Sequence, residues 1–317
     1  GGTPTSLSLE QLEQFLTSIH DTFQLEDHYE FTFEANPSNV DSDKLKLLKE
    51  YGVNRLSIGV QTFDDALLKK IGRDHTREHI FSIIHHARQV GFDNISIDLM
   101  YRLPEQTITM FEQSIQEALS LQIDHISAYG LHVEPQTVFY NHMRQGKLVL
   151  PSEDDEVTMF EMLIDTLRKH GFQHYEISNF AKLGKESKHN LTYWNNDDYY
   201  GIGAGAHSYV QGVRRRNAGP IQHYINCIEE KQFPYLEEID VTEKEKMEEE
   251  LFLGLRKRQG VSKQRFYKKF QCSLDEIYGD VIAELEKKAL LEVEDDFIRL
   301  TDQGVFLGNE VFQAFLD

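Results

Sequence analysis

From Ser8 to about Gly212 the chain alternates short runs rich in β-branched and aromatic residues with amphipathic stretches at helical spacing. No other feature constrains the fold as much. Strands separated by a helix cannot pair through a tight turn; they pair in parallel through a crossover, which defines the α/β class. Ser8 and Gln11 form a capping-box pattern ahead of Leu9, Leu12, Phe15, Leu16 and Ile19. The pattern predicts strands over Phe31–Ala35, Arg55–Val60, Ile95–Met100 and His125–Tyr129, and near His174–Ile177. Helices are predicted from Asp41 to the stop at Gly52, over Asp64–Ile71, over Thr76–Val90 with closure at Gly91, and over Thr107–Leu121 and Ser152–His170.

Polar residues recur at the ends of these strands: Glu34 and Asn36, Gln61, Asp98, His132 with Glu134, and Glu176 with Asn179. An open doubly wound sheet concentrates its ligand at one switch point, whereas a barrel gathers groups from several strand exits onto one rim. The series favours a barrel-like layout. Past Pro234 the character changes. Glu237, Glu238, Asp240 and the run 243–250 read as a charge-rich helix start, followed by helices near Lys263–Phe270 and Leu274–Leu290. Two short strands, Leu291–Glu294 and Phe297–Leu300, and a final helix over Asp302–Phe315 complete the outline of a winged helix. The expected division is 1–234 for the barrel and its extension and 235–317 for a small C-terminal winged-helix-like domain.

The chain carries 33 basic and 53 acidic residues, a formal charge of −20. That balance argues against a nucleic-acid backbone as the main partner, local Arg214-Arg215-Arg216 notwithstanding, so the C-terminal unit reads as a structural or docking module rather than a nucleic-acid contact. No uncharged apolar run reaches bilayer length and no charged-then-apolar leader opens the chain. A cytoplasmic protein is expected, touching a membrane surface only through partners. The two cysteines, Cys227 and Cys272, lie far apart and outside any C-x-x-C pattern, as reduced thiols do. A thiolate-held cluster needs three or four cysteines, so no metal site is expected in this chain.

Several segments carry candidate chemistry. Gly1-Gly2-Thr3-Pro4-Thr5 offers backbone groups that a ligand can approach closely, although a glycine-rich start is also the pattern of a flexible end. Glu34-Ala35-Asn36-Pro37 and Ser57-Ile58-Gly59-Val60-Gln61 close the first two strands, Arg73 follows Ile71-Gly72, and Asp98 sits in Ile97-Asp98-Leu99-Met100-Tyr101. Singly, Glu34, Arg73 and Asp98 also read as caps or rim ion pairs. His189-Asn190-Leu191-Thr192-Tyr193-Trp194 reads either as a loop with one satisfied histidine and two packed aromatics or as a heme contact. Imidazole is a common axial ligand to heme iron, and aromatic rings pack on a porphyrin face. His132 and His207 are weaker candidates for the same role, and the glycines of 201–205 lack the strand–helix context of a nucleotide loop.

In combination and order, these segments resemble the radical SAM proteins related to oxygen-independent coproporphyrinogen oxidase, over nearly the whole chain. The resemblance implies a partial (β/α) TIM-like barrel of the radical SAM type. It implies that the Gly1-Gly2-Thr3 backbone receives the methionyl amino group of S-adenosylmethionine, that Glu34, Gln61 and Arg73 contact its polar groups, and that Asp98 takes the ribose hydroxyls. Arg102 stands where that family usually has glycine. The H-N-x-x-Y-W segment, with Tyr175–Phe180 and Gly201–His207 beside it, resembles the heme-chaperone branch, which makes His189 the candidate heme ligand. The implied function is binding of heme as cargo and its delivery to acceptor proteins, which can be membrane-associated and would put the chain at the membrane periphery. S-adenosylmethionine and a [4Fe–4S] cluster would be its cofactors, and a homodimer is an allowed assembly. The alternative is an oxygen-independent coproporphyrinogen III oxidase, which decarboxylates two propionates by radical abstraction. In that family a C-x-x-x-C-x-x-C loop precedes the glycine-rich motif, inside which this sequence begins. An N-terminally truncated, catalytically inactive form is therefore expected, missing the first strands, with an unpaired sheet edge and with the cluster confined to the full-length protein.

Overall fold

A computed structural model describes residues 3–316, which form two compact units. The first runs to His174 and takes in Ser178–Glu186; the second holds Tyr175–Ile177 and the chain from Ser187 onward.

The first unit contains α1 (Leu9–Thr22), β1 (Thr32–Ala35), α2 (Ser42–Glu50), β2 (Arg55–Gln61), α3 (Asp65–Lys70), α4 (Arg77–Val90), β3 (Ile95–Tyr101), α5 (Ile108–Ser120), β4 (His125–Gly130), α6 (Val138–Arg144) and α7 (Glu153–Lys169). β5 (Gln173–Glu176) spans the boundary between the units, and β6 (Asn179–Ala181) returns to the first. The capping box of α1 forms as its sequence predicts: Gln11 N donates to Ser8 Oγ at 3.2 Å and Ser8 N donates to Gln11 Oε1 at 3.0 Å. α4 closes on Gly91, whose φ of +97° suits a residue without Cβ.

One six-stranded sheet runs in the order β1-β2-β3-β4-β6-β5. β1 to β4 pair in parallel, as the alternation predicts. β6 departs from that expectation and pairs antiparallel to β4. The link between β5 and β6 is only Ile177-Ser178, far too short for the crossover that parallel pairing demands.

Side chains alternate across this sheet, and the two faces differ in kind. One face carries Phe33, Leu56, Ile58, Val60, Ile95, Ile97, Leu99 and Ile126, all buried, and the helices bring their own buried stripes, such as Leu45 and Leu48 of α2 and Leu163 and Leu167 of α7. Each such side chain contributes about 1.5–3 kcal/mol on burial. The register sets Glu34 beside Ser57, Ser57 beside Ser96, Ser96 beside His125, and Asp98 beside Ser127 on the other face. That polar face lines the inside of the partial barrel.

The second unit contains α8 (Lys188–Trp194), β7 (His207–Val210), β8 (Val213–Asn217), α9 (Ile221–Glu229), β9 (Tyr235–Asp240), α10 (Glu243–Gly254), β10 (Val261–Ser262), α11 (Lys263–Phe270), α12 (Leu274–Lys287), β11 (Leu291–Glu294), β12 (Phe297–Leu300), α13 (Asp302–Phe306) and α14 (Gly308–Gln313). β7, β8 and β9 form an antiparallel sheet. Residues 235–240 are thus a strand, not the start of a charged helix. The cause is cross-strand pairing: Glu238 meets Arg215 at 2.6 Å and Glu237 meets Arg216 at 3.2 Å, each opposite its partner in the register. From α10 onward the order is helix, short strand, two helices and a hairpin, with strands arranged β10-β12-β11. This is the winged-helix outline. The final helix predicted over 302–315 is broken at Leu307 into α13 and α14. Among the described residues no helix is long and apolar enough to cross a membrane.

Candidate functional site

The inner face of the sheet changes from floor to mouth. At the starts of the strands Arg55, Ser96 and His125 are buried; toward their ends Ser57, Gly59 and Asp98 are half-buried, and Glu34 and Tyr129 are exposed. The polar groups at the mouth are therefore reachable, and those at the floor set their electrostatics.

Asp98 is the centre of this arrangement. Burial pushes its carboxyl up to about 6, Ser127 donates a hydrogen bond that opposes the rise, the nearby Glu34 adds to it, and the guanidinium groups of Arg55 and Arg73 oppose it. Glu34, Arg55 and Arg73 thus all lie near enough to act on the Asp98 carboxyl. Arg73 is exposed and forms no ion pair among the described residues. Ser38 Oγ donates to Asp74 at 2.9 Å, which ties the loop after α3 to the segment following β1.

Gln61, at the end of β2, sits at a local distortion. The β2–β3 register shifts between Ile58 and Gln61, and Gln61 takes φ +69°, a left-handed conformation that costs a residue with Cβ about 1 kcal/mol or more. Two donors fix the distortion at the preceding carbonyl: Thr62 N reaches Val60 O at 2.9 Å and His75 Nε2 reaches it at 3.1 Å. Since a carbonyl only accepts, His75 carries its proton on Nε2. Its buried Nδ1 finds no partner among the described residues, and burial pushes the imidazole below its usual range. Gly59 stands beside Gln61; a Cβ there would come within 3.2 Å of Gln61 Nε2.

Gly1 and Gly2 lie outside the described residues. Thr3 precedes a single helical turn over Pro4–Ser6. Buried Thr5 accepts from Asn36 N at 3.3 Å through its Oγ1 and from Lys44 Nζ at 2.8 Å through its carbonyl, so this segment is anchored at the exit of β1. Below the mouth, Ser96 Oγ lies 2.8 Å from His125 Nδ1, and burial together with Arg55 holds His125 well below the imidazole range. Arg55 is itself buried, touches Thr32 Oγ1 at 3.4 Å and leaves Nε without a partner among the described residues.

Strand-end reasoning missed Arg55, Ser57, Ser96, His125 and Ser127. The signal was present as alternation: polar residues occupy every second position in Arg55-Leu56-Ser57, Ile95-Ser96-Ile97-Asp98 and His125-Ile126-Ser127. Of the other rim candidates, His132 and Glu134 are exposed and 3.7 Å apart, Asn179 is buried, and Glu176 is buried in the second unit. Arg102 takes φ +60°, in the left-handed region that favours glycine; its guanidinium meets Glu156 at 3.1 Å. The ion pair holds the side chain.

In the second unit the H-N-x-x-Y-W segment is a helix, α8, capped by Ser187 Oγ accepting from Asn190 N at 3.3 Å. His189 is exposed and its ring stands edge-on to Tyr193, with centroids 4.8 Å apart; Tyr193 in turn meets Tyr199 at 4.6 Å. Burial raises both tyrosines, so they are neutral phenols. At about 100° per residue, Tyr193 lies about 40° around the helix from His189 and Trp194 about 140°. Trp194 accordingly faces Arg256, whose guanidinium lies 5.0 Å from its ring centroid. The glycines of 201–205 form a pinned loop: Asn217 Nδ2 donates to Gly201 O at 3.1 Å and to Gly203 O at 2.9 Å, and a Cβ on Gly201 would collide with the His207 carbonyl.

Comparison with known proteins agrees with these two regions. Residues 1–118 match the radical SAM superfamily, and residues 241–307 match the HemN C-terminal domain. The solved structure of coproporphyrinogen III oxidase (HemN) from Escherichia coli, a radical SAM enzyme, superposes with a TM-score of 0.86 at 24% identity, over 99% of this chain and 76% of that one. The fold is that of a radical SAM protein with a HemN-type C-terminal domain. Heme chaperone HemW of Bacillus subtilis (strain 168) is 53% identical over all of this chain and 84% of its own length. Heme chaperone HemW of Lactococcus lactis subsp. lactis (strain IL1403) is 46% identical over all of this chain and 83% of its own length. The chain belongs to the HemW family of radical SAM proteins.

Proposed function

We propose that this chain binds heme on α8, through His189 beside Tyr193 and Tyr199, and passes it to acceptor proteins. The observation that carries the reading is the exposed His189 imidazole flanked by a continuous edge-to-face pair of phenol contacts. An exposed imidazole beside apolar ring surface would suit an iron porphyrin. Exposure also suits cargo that must leave again.

The radical SAM family implies S-adenosylmethionine and a [4Fe–4S] cluster. The inner mouth of the sheet fits the first. Asp98 would accept from the ribose hydroxyls, Arg73 would offer its free guanidinium to the methionyl carboxylate, and Glu34 and Gln61 would take the remaining polar groups, with the Gly1-Gly2-Thr3 backbone at the amino end. Bound there, the cofactor would supply a sulfonium and an amino-acid head to a site that is buried at its floor and open at its mouth. The cluster does not fit the residues present: Cys227 and Cys272 are two thiols, and no group of three metal-binding side chains occurs among the described residues. The residues here would therefore bind and orient the cofactor. We further read the domain from 235 to 317 as a docking or structural module, homodimers and membrane-associated acceptors as the assemblies such a carrier would form, and the cytoplasmic side of a membrane as its place of work.

The test is heme transfer. The hemin-loaded chain is mixed with a heme-free acceptor hemoprotein and the Soret band of the acceptor is followed. Transfer supports the carrier reading. Tight retention, together with decarboxylation of coproporphyrinogen by a cluster-bearing form, would replace it with the oxidase reading.

A further inference from the structure

The C-terminal module grips the motif helix with cations. Arg256, two residues past the end of α10, lies between two rings, 5.0 Å from the centroid of Trp194 and 4.9 Å from that of Phe312. Burial lowers its pKa and nearby Glu176 opposes the fall. Neither Arg256 Nε nor Trp194 Nε1 has a hydrogen-bond partner among the described residues, so the contact is ring stacking rather than hydrogen bonding. Three more cations meet the chain where α8 ends. Lys257 Nζ donates to Asn195 Oδ1 at 2.6 Å, and Arg265 Nη2 donates to the Asn195 carbonyl at 2.5 Å and to Asp197 at 3.1 Å. Lys269 Nζ donates to the Asn196 carbonyl at 3.3 Å while Glu250 holds it at 2.6 Å.

Carbonyls at a helix C-terminus lack intrahelical donors and carry partial negative charge, which is where cations bind best. A helix of seven residues, moreover, is too short to hold itself in water. Its rotation is set by what grips it. The cations that hold it on the Trp194 side and at its end come from 250–269, with Phe312 behind Arg256, while His189 on the neighbouring turn is exposed beside Tyr193.

We propose that Arg256, supported by Lys257, is a positioning residue for an iron porphyrin: the C-terminal module fixes the rotation of α8 so that the His189 imidazole faces outward beside Tyr193. The proposal rests on the reading of His189 as the heme ligand. It gives the winged-helix-like module a task that needs no nucleic acid, and gives Trp194 a role away from the porphyrin face.

Trp194 is the only tryptophan in the chain, so its fluorescence reports this contact alone. Hemin is titrated into the wild-type chain and into Arg256→Leu, Arg256→Lys, Lys257→Met and His189→Ala, with Soret absorbance and acrylamide quenching of Trp194 as readouts. Arg256→Leu is expected to weaken hemin binding about tenfold, to shift the Soret band of the complex, and to make Trp194 more accessible to acrylamide. Arg256→Lys restores the band in part, and Lys257→Met weakens binding about threefold with the fold intact. A folded Arg256→Leu chain with wild-type affinity and an unshifted band overturns the proposal, provided His189→Ala still weakens binding. Should Arg256→Leu not fold, unchanged affinity in Lys257→Met overturns it instead. If His189→Ala leaves hemin binding untouched, the heme reading of the motif fails and the proposal fails with it.

Discussion

The mouth of the partial barrel and helix α8 assemble their groups in opposite ways. At the mouth, Glu34, Gln61 and Asp98 come from three different strands and Arg73 from the loop after α3, and Glu34 and Arg73 both lie near enough to act on the Asp98 carboxyl. In α8, His189, Tyr193 and Trp194 are near neighbours in sequence, and helical twist sends them apart, two to the outer side and one to Arg256. Distance along the chain thus predicts neither grouping. What predicts both is the period of the element: two for strands and 3.6 for helices.

That contrast can be broken at the barrel mouth first. Asp98→Asn removes a charged acceptor from the mouth, and S-adenosylmethionine binding measured by equilibrium dialysis is expected to fall roughly 10–100-fold, the cost of one charge-assisted contact. His189→Ala should leave that binding unchanged.

The pH dependence follows from the same carboxyl. Its value of about 6 lies above the ordinary 3.8, so the folded state holds a proton that the unfolded state has lost between those limits. The stability from this proton is fully present below about 4 and is lost as pH rises through 6. Thermal melts of the wild type should show that loss between pH 4 and 7, and Asp98→Asn should flatten it. Ligand binding runs the other way: the ionised form accepts from hydroxyls, so dialysis should show affinity falling as pH drops through 6.

A smaller effect is expected at the bulge. His75→Leu removes one donor from the Val60 carbonyl while filling the space, which should cost about 1 kcal/mol and loosen S-adenosylmethionine binding about threefold. His75→Gln keeps a donor at the Nε2 position and should recover most of both. Faster amide exchange at Gln61 and Thr62 in His75→Leu alone would locate the change at the bulge. The smallest change is expected for Arg102→Gly. Relief of the left-handed strain at φ +60° offsets loss of the Glu156 pair, so the melt should move by less than about 1 kcal/mol in either direction.

The contrast also explains what could be read from sequence. The parallel strands, their helices and caps such as Ser8 and Gly91 were legible because pattern and local hydrogen bonding specify them together. Glu34, Gln61 and Asp98 were legible as strand-end residues and Arg73 only through the family resemblance, but the floor was not: Arg55 and His125 stand at strand starts, where polar residues are usually ordinary edges. β6 was hidden by its three-residue length, and β9 by glutamates that pair with Arg215 and Arg216 only once β8 is beside them. The motif at His189 looked like a loop because seven residues give too little periodicity, and the four cations that hold it are remote in sequence.

The most direct test of the account is a hemin titration of the wild-type chain and His189→Ala, followed at the Soret band. Saturable binding by the wild type, weakened tenfold or more by the substitution, is the predicted result. Equal binding by both chains, or none by a folded wild type, would contradict the placing of heme on α8.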